Sequence, residues 1–316
     1  MRGKQVAVFG GSGFVGRHLV RRLAQAGAQV AVAVRDPEAA LFLKPMGDVG
    51  QITPVYANIR KPKSVRRAVE GADMVVNLVG ILHQGQQPFA GVHAMGSKHI
   101  AEAAAEEGVE RFVQMSALGV SADSPSLYGR TKAAGEAAVM EAIPGANAVR
   151  PSVIFGPEDT FLNRFAAMAR LSPVLPLIGG GHTRFQPVFV GDVADAIMAL
   201  LEGKGEPGAV YDLGGPKVYT FREILEFIME VTGRKRLLLP IPFGVARLQG
   251  ALLQFLPSPP LTLDQVKSLE GDNVVTGENP GFEALGIGHL NLMEAVAPTY
   301  LERYARAGRV RSLDAG

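Results

Sequence analysis

Short apolar runs alternate along the chain with stretches whose apolar residues recur every three or four positions, a rhythm that predicts strands and helices in turn. Val6–Phe9 is the first run. A helical pattern to Ala26 follows, then Val30–Val34, a helix near residues 63–70 and a strand over Met74–Val79. A helix from about residue 92 to 107 precedes Arg111–Met115, and a helix around Tyr128 precedes Ala146–Arg150. Alternation of this kind predicts an α/β fold on a doubly wound parallel sheet. The regular half ends near Gly156, beyond which Pro173, Pro176, Pro240, Pro242 and the cluster Pro257-Ser-Pro-Pro260 interrupt the pattern. Residues 186–194 and 210–215 read as returns to the first half. The expected division is therefore 1–156 plus 186–215 as one domain and 157–185 plus 216–316 as a smaller irregular lobe.

Between the first strand and the first helix lies Gly10-x-x-Gly13-x-x-Gly16. Missing side chains let the backbone approach a pyrophosphate closely, and the helix N-terminus turns unpaired N–H groups toward its charge. Glycines also serve tight turns that bind nothing. Here the order of strand, turn and helix favours a Rossmann dinucleotide site, with Ser12, Phe14 and Val15 completing the turn. Proteins that bind NAD usually carry an acid at the end of the second strand, against the ribose 2′-hydroxyl. This strand ends Val34-Arg35-Asp36, and Arg17 directly follows the third glycine. Two guanidinium groups flanking a 2′-phosphate would select NADPH. In the alternative, both arginines are solvated and Asp36 holds the ribose.

Composition narrows the classes. With 316 residues, 47% of them hydrophobic, the chain can bury one large core or a core plus a smaller lobe. The net charge of +2 comes from 32 basic and 30 acidic residues that read as interspersed, which argues against a nucleic-acid partner. No cysteine is present, so disulfides, thiolate catalysis and cysteine-ligated metal are excluded. Six histidines are scattered, and His93 and His99 lack the spacing of two ligands on adjacent helical turns, so no metal is expected. The first strand begins near residue 5, which leaves no room for a leader and points to the cytoplasmic side. No stretch reaches the roughly 20 uninterrupted apolar residues of a membrane span.

The glycine turn, together with Ser116 at a strand end and Tyr128-x-x-x-Lys132 on a helix, resembles the short-chain dehydrogenase/reductase superfamily in its extended or atypical branches. Four residues apart, Tyr128 and Lys132 share a helix face. The resemblance implies that Lys132 binds the nicotinamide ribose and lowers the Tyr128 pKa. Tyr128 would exchange a proton with a carbonyl or alcohol, and Ser116 would hold the substrate oxygen. By the same resemblance Asn58 stands beside the adenine, Leu78, Val79 and Gly80 line the middle of the cofactor, and Pro151 and Val153 its nicotinamide end. These strand-end residues are equally core positions. Where many relatives carry an Asn-x-x-Gly, this chain has His93-Ala-Met-Gly96. His93 is read either as a hydrogen-bonding substitute or as a structural histidine. Tyr128 and Lys132 also bind ribose, so the Ser-Tyr-Lys set fits a pure binder as well.

Pro45-Met-Gly-Asp-Val-Gly-Gln51, Asn77-Leu-Val-Gly80, Phe155-Gly-Pro-Glu-Asp159, Phe161-Leu-Asn-Arg-Phe165 and Gln186-Pro-Val-Phe-Val-Gly-Asp192 occur together. That combination resembles the nucleotide-binding accessory subunits of respiratory complex I, the alpha subcomplex subunit nine family, in alphaproteobacterial form. The resemblance implies a tightly held structural NADPH, other complex I subunits as partners, and a place on the peripheral arm at the cytoplasmic face of the bacterial inner membrane. Residues 234–256 join a basic cluster, Arg234-Lys-Arg236, to an apolar run containing one charge. That pairing suits an anionic membrane surface, with an ordinary core helix as the alternative. A free NADPH-dependent reductase or epimerase, and an NADP-binding redox regulator, are the competing functions.

Overall fold

The computed structural model describes residues 1–84, 87–256 and 259–305. Pro257 and Ser258 of the proline cluster, and residues 306–316 of the expected lobe, lie outside the described residues. Strands β1 (Gln5–Phe9), β2 (Gln29–Val34), β3 (Ile52–Tyr56), β4 (Met74–Asn77), β5 (Arg111–Met115) and β6 (Asn147–Pro151) join a seventh, Val210–Leu213, in one parallel sheet. The spatial order is β3-β2-β1-β4-β5-β6 with Val210–Leu213 outermost. Strand order reverses between β1 and β4, and such a reversal opens a crevice beyond the carboxyl ends of the strands.

Alternation along β1 explains why both faces are covered. Val6 and Val8 face Leu19, Val20 and Leu23 of helix α1 (Phe14–Gln25), while Ala7 and Phe9 face the opposite layer. That layer contains α2 (Pro62–Val69), α3 (Met95–Glu107) and α4 (Leu127–Ala142), with Val65, Ile100 and Val139 fully buried in it. The rest of the chain gathers a separate apolar cluster around Phe155, Leu162, Phe221, Ile224 and Leu301. Two short parallel pairs extend it, Ile154–Phe155 with Val188–Phe189 and Val174–Ile178 with Leu237–Ile241.

Several boundaries depart from the periodicity. The strand expected to reach Val79 stops at Asn77, whose side-chain oxygen accepts the Val79 N–H and turns the chain. The helix expected from residue 92 is helical from Ala90, a wide π turn over Ala90–Ala94 running on into Met95–Glu107, and His93 is held in that turn by two hydrogen bonds. Strand β3, which the pattern does not predict, contains Thr53 and Pro54 and lies at the sheet edge, where proline is tolerated.

The core-helix alternative for residues 234–256 does not hold. The segment is a strand, Leu237–Ile241, followed by a helix, Phe243–Leu253, in which only Ala246 and Gly250 are buried. Leu248, Leu252 and Phe255 are 64, 67 and 82% exposed. In the basic cluster, Arg234 and Arg236 donate to the carbonyls of Tyr304 and Ala169, and Lys235 is exposed. Among the described residues no helix is long and apolar enough to cross a membrane.

Candidate functional site

The crevice at the sheet's switch point begins with the glycine turn. Gly10 has φ +79°, a conformation that other residues rarely adopt, and an added Cβ there would lie 3.2 Å from the Leu78 carbonyl carbon. A Cβ on Gly16 would collide with the Gly10 carbonyl, so the third glycine lets α1 pack directly on the turn. Helix α1 starts at the Gly13 N-cap with no side-chain cap and no acid in its first turn. Its first N–H groups therefore face the crevice unneutralised, as an anion site requires. Ser12, Phe14 and Val15 are half-buried along this turn.

At the end of β2, Asp36 is turned into its own backbone. One carboxylate oxygen accepts the N–H groups of Glu38 and Ala39, at 3.1 and 3.2 Å. Arg35 is exposed and has no ion pair among the described residues. Arg17 lies over the Phe42 ring, 5.2 Å from its centroid, with Glu158 at 3.7 Å. It thus links the glycine helix to a loop beyond the first sheet domain. The Asn58 side-chain oxygen accepts from the Arg60 N–H and holds the turn after β3. Interspersion of charge also fails locally, since Lys61, Lys63 and Arg67 line one cavity of about 440 Å³ with Tyr56.

Two elements carry the serine, tyrosine and lysine: Ser116 directly follows β5, and Tyr128 and Lys132 lie on α4. Lys132 is buried in α4, and its Nζ donates to the Met115 carbonyl at 2.5 Å, next to Ser116. A Cβ on Gly80 would lie 4.0 Å from that Nζ, so the loop after β4 meets the same point. Burial lowers the Lys132 pKa to about 8, and Glu136, one turn below, opposes the shift. Glu136 is itself held by Arg150, with contacts of 2.5 and 3.0 Å. Tyr128 sits one turn before Lys132, and burial pushes its phenol up to about 12. The residue retains partial solvent access, but the ring lies edge-on to Phe89 and His93. The lowering that the family resemblance implies for Tyr128 is therefore not what this environment produces: desolvation opposes the phenolate. Ser116 Oγ is buried and, among the described residues, has no hydrogen-bond partner. An unpaired buried hydroxyl beside an ammonium is what a bound polar group would complete.

His93 is a structural histidine. Its Nε2 accepts the Ile81 N–H at 3.1 Å, which leaves Nδ1 to carry the proton toward Thr131 Oγ1, also at 3.1 Å. Thr131 Oγ1 in turn donates to the Leu127 carbonyl. Burial and the Lys132 charge lower the His93 pKa to about 3, so the ring is neutral. With both nitrogens engaged, it cannot stand in for a relay asparagine.

Several supporting residues carry no motif and escape sequence reasoning. Asn77 bonds Ser97 and Gln114 in a buried network that fixes the start of the 78–80 loop. Asn273, far along the chain, accepts from the Ser152 hydroxyl and the Val153 N–H, and donates to the Leu118 carbonyl. It thereby sets the wall formed by Pro151 and Val153. Asp264 receives the N–H groups of Leu127 and Tyr128. Their only signal is that a buried polar group must find a partner, and periodicity does not say which.

Sheet order, glycine turn and the serine, tyrosine and lysine set are those of the dehydrogenase and epimerase class. The chain belongs to the NAD dependent epimerase/dehydratase family, which matches it over residues 6–214. It is 38% identical over 296 residues to the Arabidopsis thaliana mitochondrial protein "NADH dehydrogenase [ubiquinone] 1 alpha subcomplex subunit 9", covering 89% of this chain and 73% of that one. It is 33% identical over 253 residues to the ceramide reductase of Caulobacter vibrioides, covering 78% of this chain and 77% of the relative. Among solved structures, triphenylmethane reductase of Citrobacter sp. is 18% identical with a TM-score of 0.75, covering 94% of this chain and 99% of that one. That likeness concerns the fold alone.

Proposed function

We propose that the chain is an accessory subunit of the proton-pumping NADH:quinone oxidoreductase, holding NADPH as a structural ligand on the peripheral arm near the membrane. The observation that carries this reading is the likeness to alpha subcomplex subunit 9 over nearly the whole chain. Both His93 nitrogens are engaged within the protein and neither is free for proton transfer, which supports retention over turnover. Gly10, Gly13 and Gly16, with the α1 N-terminus, would take the pyrophosphate, and Tyr128 and Lys132 the nicotinamide ribose, beside Leu78, Val79, Gly80, Pro151 and Val153.

The preference for NADPH over NADH rests on β2. Asp36 has an oxygen committed to the Glu38 and Ala39 N–H groups, while Arg35 is free to meet a 2′-phosphate. The exposed row Leu248, Leu252 and Phe255, with Lys235 nearby in sequence, supports contact with membrane lipid on the cytoplasmic face of the bacterial inner membrane.

A second reading, a free NADPH-dependent reductase, is favoured by the unpartnered Ser116 hydroxyl and by the likeness to a ceramide reductase. Tyr128→Phe separates the two. Introduced into a strain lacking the chain, it restores membrane NADH:quinone activity to the wild-type level if the chain is an accessory subunit. Membrane NADH:quinone activity that is unchanged by removal of the chain, with a carbonyl-reducing activity lost in the phenylalanine variant, would favour the free enzyme.

A further inference from the structure

The N-terminus of α4 is completed from outside the sheet domain. Ser126 Oγ caps it locally by accepting the Gly129 N–H at 2.9 Å. The two N–H groups ahead of that one, on Leu127 and Tyr128, both donate to Asp264, at 2.6 and 3.0 Å across more than 130 positions of sequence. Asp264 lies in the first turn of the helix Leu263–Leu269, which is fixed by its own capping box between Thr262 and Gln265. A carboxylate aimed along the helix axis at two unpaired amides is favoured by charge-assisted hydrogen bonding and by the helix dipole.

The second of those amides belongs to Tyr128. With its backbone anchored and its ring set against Phe89 and His93, the phenol's place in the crevice is determined from both ends. Lys132 follows one turn later on the same helix, so the anchor also sets the depth at which Nζ meets the Met115 carbonyl. The helix bearing Asp264 packs on Phe243–Leu253, whose outer side is the exposed apolar row. Gly250 lets the two helices touch, since an added Cβ would lie 2.8 Å from Leu263 N, and Arg247 grips Glu270 through two contacts of 2.6 Å.

We propose that Asp264 is a positioning residue for the nicotinamide end of the nucleotide site, acting through the backbone of Tyr128, and that the helix pair bearing the apolar row thereby sets nucleotide affinity. This rests on the nucleotide reading given above. Among the described residues Asp264 makes no hydrogen bond or ion pair with the glycine turn or Arg35 at the adenosine end, so the two ends of one ligand respond differently.

The test compares NADPH with 2′,5′-ADP, which carries the adenosine and 2′-phosphate but no nicotinamide ribose, on the full chain and its variants. Asp264→Ala is expected to weaken NADPH roughly tenfold or more, as for loss of charge-assisted hydrogen bonds, and to leave 2′,5′-ADP unchanged. Asp264→Asn keeps the size and one acceptor oxygen, and should fall between the two. It carries the test if the alanine variant does not fold. Equal weakening of both ligands would mean general damage and overturn the proposal, as would affinities identical to wild type. If the wild-type chain itself binds neither ligand, the nucleotide reading fails and the proposal falls with it. Wild-type binding with unaffected variants removes only the role of Asp264.

Discussion

Arg35 and Asp36 stand side by side at the end of β2, yet only the arginine faces outward without a partner among the described residues. The aspartate's hydrogen bonds to Glu38 and Ala39 make it the cap of the following turn. Arg35→Ala should therefore weaken NADPH by about tenfold to a hundredfold while leaving NADH little changed, since a charge-assisted contact to the 2′-phosphate is absent from NADH. Titrations of both nucleotides by fluorescence would decide this, and equal losses for the two would refute the assignment. At this scale the sequence is legible where chemistry demands a residue type. Glycines 10, 13 and 16, and the spacing of Tyr128 and Lys132, are of this kind. It is illegible where the partner is remote. The fate of His93 depends on Ile81 N–H and Thr131, and the Tyr128 pKa depends on how deeply its ring is packed, neither of which spacing encodes.

Elements follow their periodicity where a strand or helix buries a regular face. Strand β5 lies where the apolar run places it, and β1 and α1 alternate or repeat as the buried sheet requires. Residues 237–256 show where that logic ends. A run rich in leucine reads as a core element, but here a strand, Leu237–Ile241, ends at Pro242, the N-cap of a helix that rests on its neighbour through small residues. The close approach at Gly250 makes this element testable on its own. Gly250→Ala should displace the Leu263–Leu269 helix from its seat on Phe243–Leu253, and Asp264 with it, and lower NADPH affinity several-fold without altering 2′,5′-ADP, the same pattern as at Asp264. A change confined to thermal stability, with both affinities intact, would show that the helix pair and the nucleotide site are independent.

In the whole molecule a doubly wound sheet is joined to an arm that presents Leu248, Leu252 and Phe255 outward. A monomer in water gains nothing from exposing that row, and an exposed row of large apolar residues marks a contact surface. The chain's likeness to alpha subcomplex subunit 9 points the same way. The most direct test is native-gel separation of gently solubilised membranes from the source organism, probed for this chain and stained for NADH dehydrogenase activity. The chain is expected to migrate with the large active complex, and NADPH to be recovered from the band. Migration only as a small free species, with the complex active and lacking the chain, would contradict it.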